Sequence, residues 1–564
     1  MSTSGKTQGR KGPRSGDRSM RHRGRGAVAE IPAADKAVLA ALFADVPAEP
    51  GLLIEHLHWI QDRHGGLPRP LLHALGEALR LPDAAVYEVA TFYHGFRVLE
   101  ADEAPLPTIQ VCDSIACAIS GAAELEKAAA LALSGQARVE AVACLGRCDQ
   151  APCARVQGRT ITRATPASVE AALSGAVPPL PSAKTGFDAY LAAGGYTLLR
   201  EVYGGARDLD GLLKPLEDAG LRGLGGAGFP TGRKWRAVAK EHGPRLMAVN
   251  ADESEPGTFK DRFHLLADPH RVIEGMLLGA WAVGAEAVYV YLRDEYEDVR
   301  AILRQELARL PELGLPLPPV YLRRGAGNYI CGEESAMLES LEGKRGLPRH
   351  KPPYPSQVGL FGRPTLINNV ETLYWVRDLV ERGPDWWGSH GVNGGKGLRS
   401  FSVSGRVRYP GVKLVPAGIS ARELIEEYAG GMQDGHEFKA FLPGGASGGI
   451  LPASLAHLPL DFGTLDAHGA IVGSAAFVVL SDQDSVRDAA LNLMRFFKHE
   501  SCGQCTPCRL GTEKAEVLMR APAWDQGTLK DLGQCMADAS ICGLGQAAPS
   551  AFRTVLRHFP EEVS

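Results

Sequence analysis

The chain is organised around the stretch Gly223-Leu224-Gly225-Gly226-Ala227-Gly228-Phe229-Pro230-Thr231-Gly232-Arg233-Lys234-Trp235. Five glycines in ten residues allow the backbone to turn through positive φ angles and to approach a flat or phosphorylated ligand closely. Lys234 adds a cation suited to a phosphate. A glycine-rich loop before a helical pattern is more often a plain structural turn than a cofactor-binding loop, so its meaning depends on the surrounding sequence.

The region from 206 to 395 alternates helical patterns with apolar runs that predict strands at 246–249, 287–292 and 319–322. This alternation predicts an α/β layered domain. Polar, small-residue segments follow two of these strands, at 250–257 and 325–334. Because ligands of open α/β sheets lie beyond the carboxyl ends of the strands, we expect these segments to converge on one crevice. The alternatives are a solvated acidic loop and the acidic first turn of a helix.

Two cysteine pairs lie before this region, Cys112 with Cys117 and Cys144 with Cys148, at spacings C-x4-C and C-x3-C. A predicted strand ends at each pair, so the two loops can close around one site. Four thiolates suit either zinc or a [2Fe-2S] cluster, and spacing alone leaves both open. Cys153 has no place in this pattern, and we interpret it as an ordinary small side chain.

A second cysteine set follows an amphipathic helix that Ser485 is predicted to cap. It reads Cys502-Gly503-Gln504-Cys505-Thr506-Pro507-Cys508. Three cysteines at C-x2-C-x2-C on one loop suit three corners of a [4Fe-4S] cluster, whereas zinc sites more often use separated pairs. The fourth ligand comes from further on, where Cys535 and Cys542 are the candidates.

Composition restricts the class of protein. The chain has 564 residues, a formal net charge of -4 and eleven cysteines. This net charge does not indicate the basic surface that nucleic-acid-binding proteins use. We find no apolar run long enough for a membrane span and no apolar signal core at the N-terminus, and clustered cysteines favour metal or cluster ligation in a reducing compartment. We therefore expect a multidomain protein of the cytoplasm.

Four blocks in this order, GLRGLGGAGFPTGRKW, NADESEPGTFKDR, GAGNYICGEES and PTLINNVET, resemble the 51 kDa-type flavoprotein of respiratory complex I, which binds FMN and NADH. The loop from Cys144 to Cys148, followed by Ala151-Pro152, resembles the 24 kDa-type thioredoxin-like component of the same complex. This resemblance implies a [2Fe-2S] cluster on the first four cysteines. It also implies Cys542 as the fourth [4Fe-4S] ligand, with Cys535 and Cys331 as unpaired small core residues.

The resemblance also implies the cofactor contacts. The residues it places against FMN are Gly223, Gly225, Lys234, Asn250, Asp252, Glu253, Tyr329, Gly332, Glu333, Asn368, Asn369 and Thr372. The residues it places against NAD are Phe229, Lys234, Glu255, Glu334, Lys351 and Tyr354. Carboxylates that accept from ribose hydroxyls and disfavour a 2′-phosphate argue for NAD over NADP. Leu224 departs from the complex I pattern, where Arg is expected, and Ala237 stands where an aromatic residue is common.

The predicted fold class is multidomain α/β and α+β. The expected domains are a disordered basic tail (1–31), a helical bundle (32–104), a thioredoxin-like [2Fe-2S] domain (105–176), a Pro-rich linker (177–205), an FMN- and NAD-binding α/β domain (206–395), a ubiquitin-like β-grasp domain (396–480) and a C-terminal helical bundle with the [4Fe-4S] cluster (481–564). We interpret the second glycine-rich segment, 441–449, as structural, because no Lys-Ser/Thr pair follows it.

A nucleotide site, a flavin and two clusters in one chain, with no separate constellation for a carbon substrate, indicate a diaphorase. Such a module exchanges hydride between NAD(H) and FMN and passes single electrons to or from a partner, and no side chain need be a catalytic acid or base. The fused chain resembles the beta (flavoprotein) subunit of NAD-dependent formate dehydrogenase, which implies a large partner with a molybdenum or tungsten pterin and further iron–sulfur clusters. The alternatives are the diaphorase subunit of an NAD-reducing hydrogenase and, in a different class, a non-catalytic zinc scaffold.

Overall fold

The structure is a computed structural model that describes residues 31–100, 103, 105–177 and 179–564. Apart from Ile31, the predicted basic tail lies outside the described residues. The first unit contains four helices and a two-stranded parallel ribbon: α1 (Ala33–Asp45), α2 (Leu53–His64), β1 (Leu67–Pro68), α3 (Arg69–Leu79), α4 (Asp83–Phe92) and β2 (Val98–Leu99). The predicted helical bundle is therefore present, and its apolar side chains are buried.

The next unit is a four-stranded sheet in the order β4-β3-β5-β6, in which β3 and β4 are parallel and the other pairs antiparallel. Its elements are β3 (Thr108–Cys112), α5 (Ile115–Ala118), α6 (Ala122–Ala132), β4 (Arg138–Val142), β5 (Cys153–Val156), β6 (Arg159–Thr162) and α7 (Pro166–Leu173). The strands predicted to end at the two cysteine pairs correspond to β3 and β4, so both pairs do begin at the carboxyl ends of neighbouring strands.

The central unit is built on a parallel sheet in the order β10-β7-β8-β9. Its strands are β7 (Arg245–Ala251), β8 (Ala285–Leu292), β9 (Val320–Arg324) and β10 (Thr365–Asn369). Its helices are α8 (Phe187–Ala192), α9 (Thr197–Tyr203), α10 (Leu209–Asp218), α11 (Thr231–Ala239), α12 (Lys260–Ala267), α13 (Pro269–Val283), α14 (Glu297–Leu307), α15 (Glu334–Leu341), α16 (Val370–Arg382) and α17 (Pro384–Gly388). Three strands match the predicted runs. The sequence did not predict β10, which lies next to β7.

The expected linker over 177–205 is wrong in its second half. Residues from Phe187 onward form α8 and α9, whose large side chains are buried in the core of the central unit. Glu274 explains their attachment, because its buried carboxylate accepts hydrogen bonds from the Tyr190 hydroxyl at 2.6 Å and from the Tyr196 amide at 2.9 Å. The prolines at the start of the segment predicted a linker throughout, although an apolar helical pattern follows them.

The fourth unit contains a five-stranded mixed sheet in the order β12-β11-β15-β13-β14. Its elements are β11 (Leu398–Gly405), β12 (Gly411–Pro416), α18 (Ala421–Glu423), β13 (Phe438–Leu442), β14 (Leu451–Pro452) and β15 (Ala476–Ser481). A capping box between Ser420 and Glu423 starts α18, which runs into a π-helical turn at Leu424–Tyr428. This is the predicted small α+β unit.

The last unit is a helical bundle of α19 (Val486–Glu500), α20 (Thr506–Arg520), α21 (Gln526–Ala539), α22 (Gly543–Ala547) and α23 (Ser550–His558). Ser485 caps α19 as predicted, accepting from the Asp488 amide. Its buried face joins that of the N-terminal helices in one continuous apolar core. Among the described helices, none is by itself long and apolar enough to cross a membrane; 33–45 and 50–64 reach that length and composition only together, bent by 93°.

Candidate functional site

A cleft of about 370 Å³ opens at the carboxyl ends of the central strands. The glycine-rich loop, the segment after β7, the turn before α15 and the start of α16 all contribute to it, so the predicted convergence of these segments is observed. The residues that line it are Gly225, Gly226, Ala227, Asn250, Asp252, Glu253, Ser254, Glu255, Thr258, Lys260, Asp261, Tyr329, Ile330, Gly332, Glu333, Asn369, Ser447, Ile471, Gly473, Ser474, Gly543, Leu544 and Ala547.

The glycine-rich loop has the backbone that its sequence allows. Gly226 and Gly228 have φ angles of 127° and 65°, which favour glycine. At Gly225 a Cβ atom would lie 2.9 Å from the Cβ of Asn369, so the two backbones approach too closely for a larger residue. The loop therefore forms a wall of bare backbone along the cleft, which fits a planar group better than a loop with side chains does.

Two of the predicted FMN residues support this wall from behind. The buried Thr372 hydroxyl accepts a hydrogen bond from the Leu224 amide at 2.9 Å. The buried Asn368 side chain accepts from the Trp235 indole at 2.8 Å and so fixes α11. Neither residue lines the cleft. Their positions explain why the block PTLINNVET accompanies the glycine-rich loop in sequence.

The segment after β7 carries the acidic groups of the cleft. Asn250 donates to the Gly332 carbonyl at 2.8 Å and accepts from the Asp252 amide at 3.1 Å, which holds two of the segments together. Asp252 is half-buried; its Oδ2 is enclosed and has no hydrogen-bond partner within the described residues. Burial raises the pKa of this carboxyl to about 7. An enclosed, unpartnered oxygen at the cleft fits a bound hydrogen-bond donor.

A buried ion cluster that the sequence reasoning missed lies at the floor of the cleft. Lys260, with 1% of its side chain exposed, places its Nζ 2.9 Å from both Asp261 and Glu371. Asp261 also accepts from the Asn369 amide at 2.6 Å. Glu253 accepts from the backbone amides of Asp261 and Arg262 at 2.8 and 3.0 Å, at the start of α12. Glu253 therefore caps a helix as well as lining the cleft.

Apart from Glu255, the predicted NAD residues do not line the cleft; Lys351 and Glu334 adjoin its lining residue Glu333, and this edge is called the rim. Phe229 and Tyr354 expose 50% and 55% of their surface, as stacking faces require. Lys351 bridges Glu333 at 3.0 Å and Glu334 at 2.7 Å. The helix α15 begins at Glu334, so these two glutamates also form the acidic helix start that the sequence allowed.

Lys234 and Glu255 occupy different parts of the site. The Lys234 ammonium donates to the Ile367 carbonyl at 3.2 Å and lies 5.9 Å from the Phe229 ring centre. Burial lowers the pKa of Lys234, while the charge of Glu334 opposes that shift. Glu255 lies inside the cleft on the far side, where burial raises the pKa of its carboxyl and the Ser447 amide donates to it at 2.9 Å. Glu255 is therefore placed among the cleft residues, apart from the exposed rim.

The segment 441–449, which we interpreted from the sequence as structural, contributes to the far wall of the cleft. The glycine-rich segment 441–449 contributes Ser447, which also lies 3.3 Å from the Tyr329 hydroxyl, and the segment before β15 contributes Gly473 and Ser474. The segment 441–449 is therefore part of the cleft as well as structural. The absence of a Lys-Ser/Thr pair argues against a phosphate-binding loop of the P-loop type. It does not predict that Ser447 contacts the cleft of the neighbouring domain.

The third wall comes from the second cysteine set. Gly543, Leu544 and Ala547 line the cleft, and Gly543 directly follows Cys542 in the chain. Cys502, Cys505, Cys508 and Cys542 lie together: burial, and to a smaller extent the proximity of the other thiols, raise the pKa of Cys508 to about 12 and that of Cys542 to about 11. A Cβ atom at Gly545 would lie 2.8 Å from that of Cys508, so glycine allows the two loops to meet. Four neighbouring thiols suit the four corners of a [4Fe-4S] cluster.

The other cysteines are separate from this group. Cys535 is exposed on α21, so its expected place in the core is wrong. The helix presents it to solvent, away from the face that buries Met536 and Leu529. Cys331 is buried in the apolar core as expected, where burial raises the pKa of its thiol.

The N-terminal cysteine pairs also converge. Cys112, Cys117, Cys144 and Cys148 are each at most 5% exposed, and the Sγ atoms of Cys144 and Cys148 are 3.3 Å apart. Hydrogen bonding to Cys117 and Cys144 raises the pKa of Cys112. Cys153 is nearby but turned toward backbone, since its thiol donates to the carbonyls of residues 147 and 150.

The domain of these cysteines contacts the central unit through ion pairs. Arg147 lies 2.8 Å from Asp298, Arg155 lies 2.9 Å from Asp294, and Arg262 lies 2.9 Å from Asp149. The buried Arg293 joins the two sites directly, because its guanidinium donates to the carbonyls of Cys144 and Glu253. One side chain thus touches both the loop that carries Cys144 and Cys148 and the segment after β7. The sequence showed no signal for it beyond its place at the end of β8.

Comparison with known proteins identifies these units. The "Nuo51 FMN-binding domain" model matches residues 216–378, the "Thioredoxin-like [2Fe-2S] ferredoxin" model matches 39–176, and the "NADH-ubiquinone oxidoreductase-F iron-sulfur binding region" model matches 488–564. The second NADH-quinone oxidoreductase F subunit of Rhizobium meliloti (strain 1021) is 44% identical over 389 residues, covering 66% of this chain and 92% of that protein. The chain belongs to the family of NADH-quinone oxidoreductase F subunits.

Two further relatives define the extent of the likeness. The NADH-quinone oxidoreductase F subunit of Aquifex aeolicus (strain VF5) is 40% identical over 393 residues, covering 66% of this chain and 90% of that protein. A chain in the crystal structure of NAD+-reducing [NiFe]-hydrogenase in the H2-reduced state has 32% identity and a TM-score of 0.80, with 91% of this chain and 92% of that chain covered. The hydrogenase likeness thus extends over more of this chain than the likeness to the quinone oxidoreductases does.

This family member is therefore an NAD-linked oxidoreductase subunit of the diaphorase type. It combines an FMN-binding domain, a thioredoxin-like [2Fe-2S] domain and a [4Fe-4S] region, as predicted. These matches decide for clusters where cysteine spacing alone left zinc open. The residues present fit the groups: a glycine wall and enclosed acceptor for a flavin, and two sets of four convergent cysteines for the clusters.

Proposed function

We propose that the chain is the diaphorase subunit of an NAD-dependent formate dehydrogenase. In this proposal the cleft holds FMN, NAD(H) lies beside the flavin between the rim and Glu255, and the two cysteine sets hold the [2Fe-2S] and [4Fe-4S] clusters. A large partner subunit with a molybdenum or tungsten pterin and further clusters oxidises formate, or reduces CO2, in the cytoplasm. The domain limits given from the sequence belong to the same proposal, with residues 187–205 moved from the linker to the FMN domain.

One observation carries the diaphorase part of this function. The cleft has the glycine-rich loop on one side and Gly543 and Leu544 on another, and these two residues directly follow the cluster ligand Cys542 in the chain. The flavin and cluster sites therefore share a wall. FMN, when bound, exchanges hydride with NAD(H) and single electrons with clusters, and adjacency of the two sites is what that exchange requires.

The chain's own residues position these groups. In the proposed arrangement Gly225, Asn250 and Asp252 hold the flavin, with Lys260 balancing the carboxylates at the floor. Glu255 and Glu334 accept from ribose hydroxyls, and their negative charge disfavours a 2′-phosphate. Phe229 and Tyr354 offer exposed faces for stacking. No side chain serves as an acid or base at the hydride step, so selection for NAD rests on charge and orientation.

Formate as the partner's substrate rests on features of this sequence. The likeness to the formate dehydrogenase subunit includes Leu224 in GLRGLGGAGFPTGRKW, the run 343–354 and the segment 481–484, and Leu224 departs from the complex I pattern, where Arg is expected. Within the central unit, Arg349 of this run pairs with Glu339 and, at 2.9 Å, with Glu342. The Lys344 carbonyl accepts from the Tyr93 hydroxyl at 2.6 Å and so joins the run to the first unit.

The diaphorase subunit of an NAD-reducing hydrogenase is the second candidate. The likeness over 91% of this chain to the NAD+-reducing [NiFe]-hydrogenase chain supports it, since that chain is also fused in this manner. The two proposals share the same cleft and clusters. They differ in the metal of the partner and in the reductant that the partner oxidises.

Purification of the native complex through a tag on this chain tests the proposal. We expect FMN, the electron paramagnetic resonance (EPR) signals of both clusters, molybdenum or tungsten without nickel, and NAD+ reduction that depends on formate. Nickel with H2-dependent NAD+ reduction would show the hydrogenase instead. A colourless protein without flavin or reduced-cluster EPR signals would contradict the diaphorase function itself.

A further inference from the structure

A group of metal-ligand side chains lies where the N-terminal and C-terminal helices meet, outside the cleft and both cysteine sets. His94 follows α4, and His499 and Glu500 are the last two residues of α19. One ligand atom from each lies within 4.8 Å of the other two. The centres of the two imidazole rings are 4.0 Å apart, and His94 Nδ1 is 3.8 Å from Glu500 Oε1. Two imidazoles and a carboxylate thus surround one point.

Glu500 is the unusual member of this group. Its side chain is 1% exposed, and within the described part of the chain its one hydrogen-bond donor is the Tyr329 amide, at 2.8 Å from Oε2. The other oxygen faces His94 at a separation too long for a hydrogen bond. Burying a carboxylate costs free energy unless a cation or several donors compensate it. The arrangement leaves Oε1 available for a cation.

The nearby basic side chains of α19 and α20 are engaged elsewhere. Lys498 lies 2.7 Å from Glu516, and Arg495 lies 3.5 Å from the same carboxylate. Arg520 also pairs with it. Glu516 thus pairs with these basic side chains, and within the described residues no lysine or arginine forms an ion pair with Glu500.

The backbone that carries His94 is fixed. Its amide donates to Asn328 at 2.8 Å, and the Gly95 amide donates to the Ala326 carbonyl at 2.8 Å. A Cβ atom at residue 95 would lie 2.6 Å from that carbonyl oxygen, so the two segments are in close contact. His94 therefore faces Glu500 from a backbone that two hydrogen bonds hold against a neighbouring segment.

We propose that His94, His499 and Glu500 form a zinc site with water as the fourth ligand. Zinc binds nitrogen and carboxylate oxygen at about 2.0–2.2 Å, which places neighbouring ligand atoms of a tetrahedron roughly 3.3–3.6 Å apart. The 3.8 Å between His94 Nδ1 and Glu500 Oε1 approaches this value. The donor set of two nitrogens and one oxygen suits zinc better than calcium or magnesium, which prefer oxygen ligands.

The site would connect three parts of the chain. His94 belongs to the N-terminal helical unit, Glu500 holds the Tyr329 amide beside the cleft, and Cys502 follows two residues after Glu500. A bound ion would clamp the N-terminal helices onto the segment that carries the [4Fe-4S] ligands. The role is structural, and it does not depend on which partner the chain has.

Zinc content and coordination of the purified native complex test this site. We expect one zinc ion per chain that resists brief washing with EDTA, with nitrogen and oxygen neighbours near 2.0–2.1 Å by X-ray absorption at the zinc edge. Zinc misplaced on cluster cysteines would instead show sulfur near 2.3 Å. After prolonged chelation, a zinc titration should restore one equivalent.

Three variants complete the test. H94A, whose side chain is one-third exposed, and H499A should each weaken zinc binding at least tenfold while FMN content and both cluster EPR signals stay unchanged. H457A is the matched control, because His457 is exposed and its Nδ1 lies 3.0 Å from the Ser454 carbonyl, outside the group. Absence of zinc from the complex with no uptake on titration, sulfur coordination, or equal zinc affinity in H94A, H499A and H457A would overturn the proposal.

Discussion

Gly225→Ala tests whether the glycine wall is needed for FMN. The added Cβ would lie 2.9 Å from the Cβ and 3.1 Å from the Cγ of Asn369, closer than carbon atoms normally approach. Asn369 cannot yield freely, because it caps α16 and donates to Asp261 at 2.6 Å. The loop must therefore move toward the cleft. Overpacking of this kind costs about 1–3 kcal/mol.

If that cost falls on the FMN-bound state, the dissociation constant for FMN rises roughly 5- to 150-fold. We would measure it by flavin fluorescence quenching as FMN is added to deflavinated protein, together with FMN per chain in the purified complex. Gly388→Ala is the control, since nothing lies within 4 Å of its Cβ position and its backbone is not left-handed. FMN affinity within twofold of wild type in Gly225→Ala would refute the close-packed wall.

Other parts of the site give three more expectations. Cys542→Ser should abolish the [4Fe-4S] EPR signal and leave the [2Fe-2S] signal, whereas Cys535→Ser, at an exposed position, should keep both. Lys260→Met leaves two carboxylates without their buried cation and should lower the free energy of unfolding, measured in urea, by about 3–5 kcal/mol; Lys214→Met, in an exposed pair, should cost less than about 1 kcal/mol. For Asp252, a pKa raised to about 7 means that the folded chain keeps a proton that the unfolded chain loses near its ordinary pKa of 3.8. Its contribution to stability therefore falls as pH rises from about 4 to 7, by at most about 4 kcal/mol. Asp252→Asn should flatten the thermal stability of the FMN-free chain over that window, and an unchanged slope would contradict the raised pKa.

The sequence predicts best what is local. Runs of apolar residues located β7, β8 and β9, and the cysteine spacings identified two sets of cysteines that the fold brings together, because strand period and ligand spacing are properties of short segments. The strand β10 was not predicted because its apolar run, Leu366-Ile367, is only two residues long before Asn368 and Asn369. The helices at 187–203 escaped because prolines just before them indicated a linker. Both were missed because their structure depends on distant parts of the chain: β10 pairs with β7, and the two helices pack into the core of the central unit.

The cleft shows the same limit. The segments that carry Asp252 and Glu333 were predicted to meet because both follow parallel strands. Ser447, Ser474 and Gly543 come from other domains, and no rule of sequence period brings them to the same place. Lys260 was overlooked because a lysine at the start of a helix normally faces solvent, whereas this one is buried by the two carboxylates beside it.

The ion pairs between the [2Fe-2S] domain and the central unit bear on how a fused chain of this kind relates to separate subunits. Arg147, Arg155 and Arg262 reach their carboxylates through folded surfaces, and none of these contacts uses the connecting segment before residue 187. Such pairs fix orientation more than they add affinity. The connecting segment then serves to keep the two surfaces at high effective concentration. We expect the two domains, made as separate chains in equal amounts, to dock through the same ion pairs. Fusion in one chain then fixes the one-to-one ratio of the two domains and requires no additional interface between them.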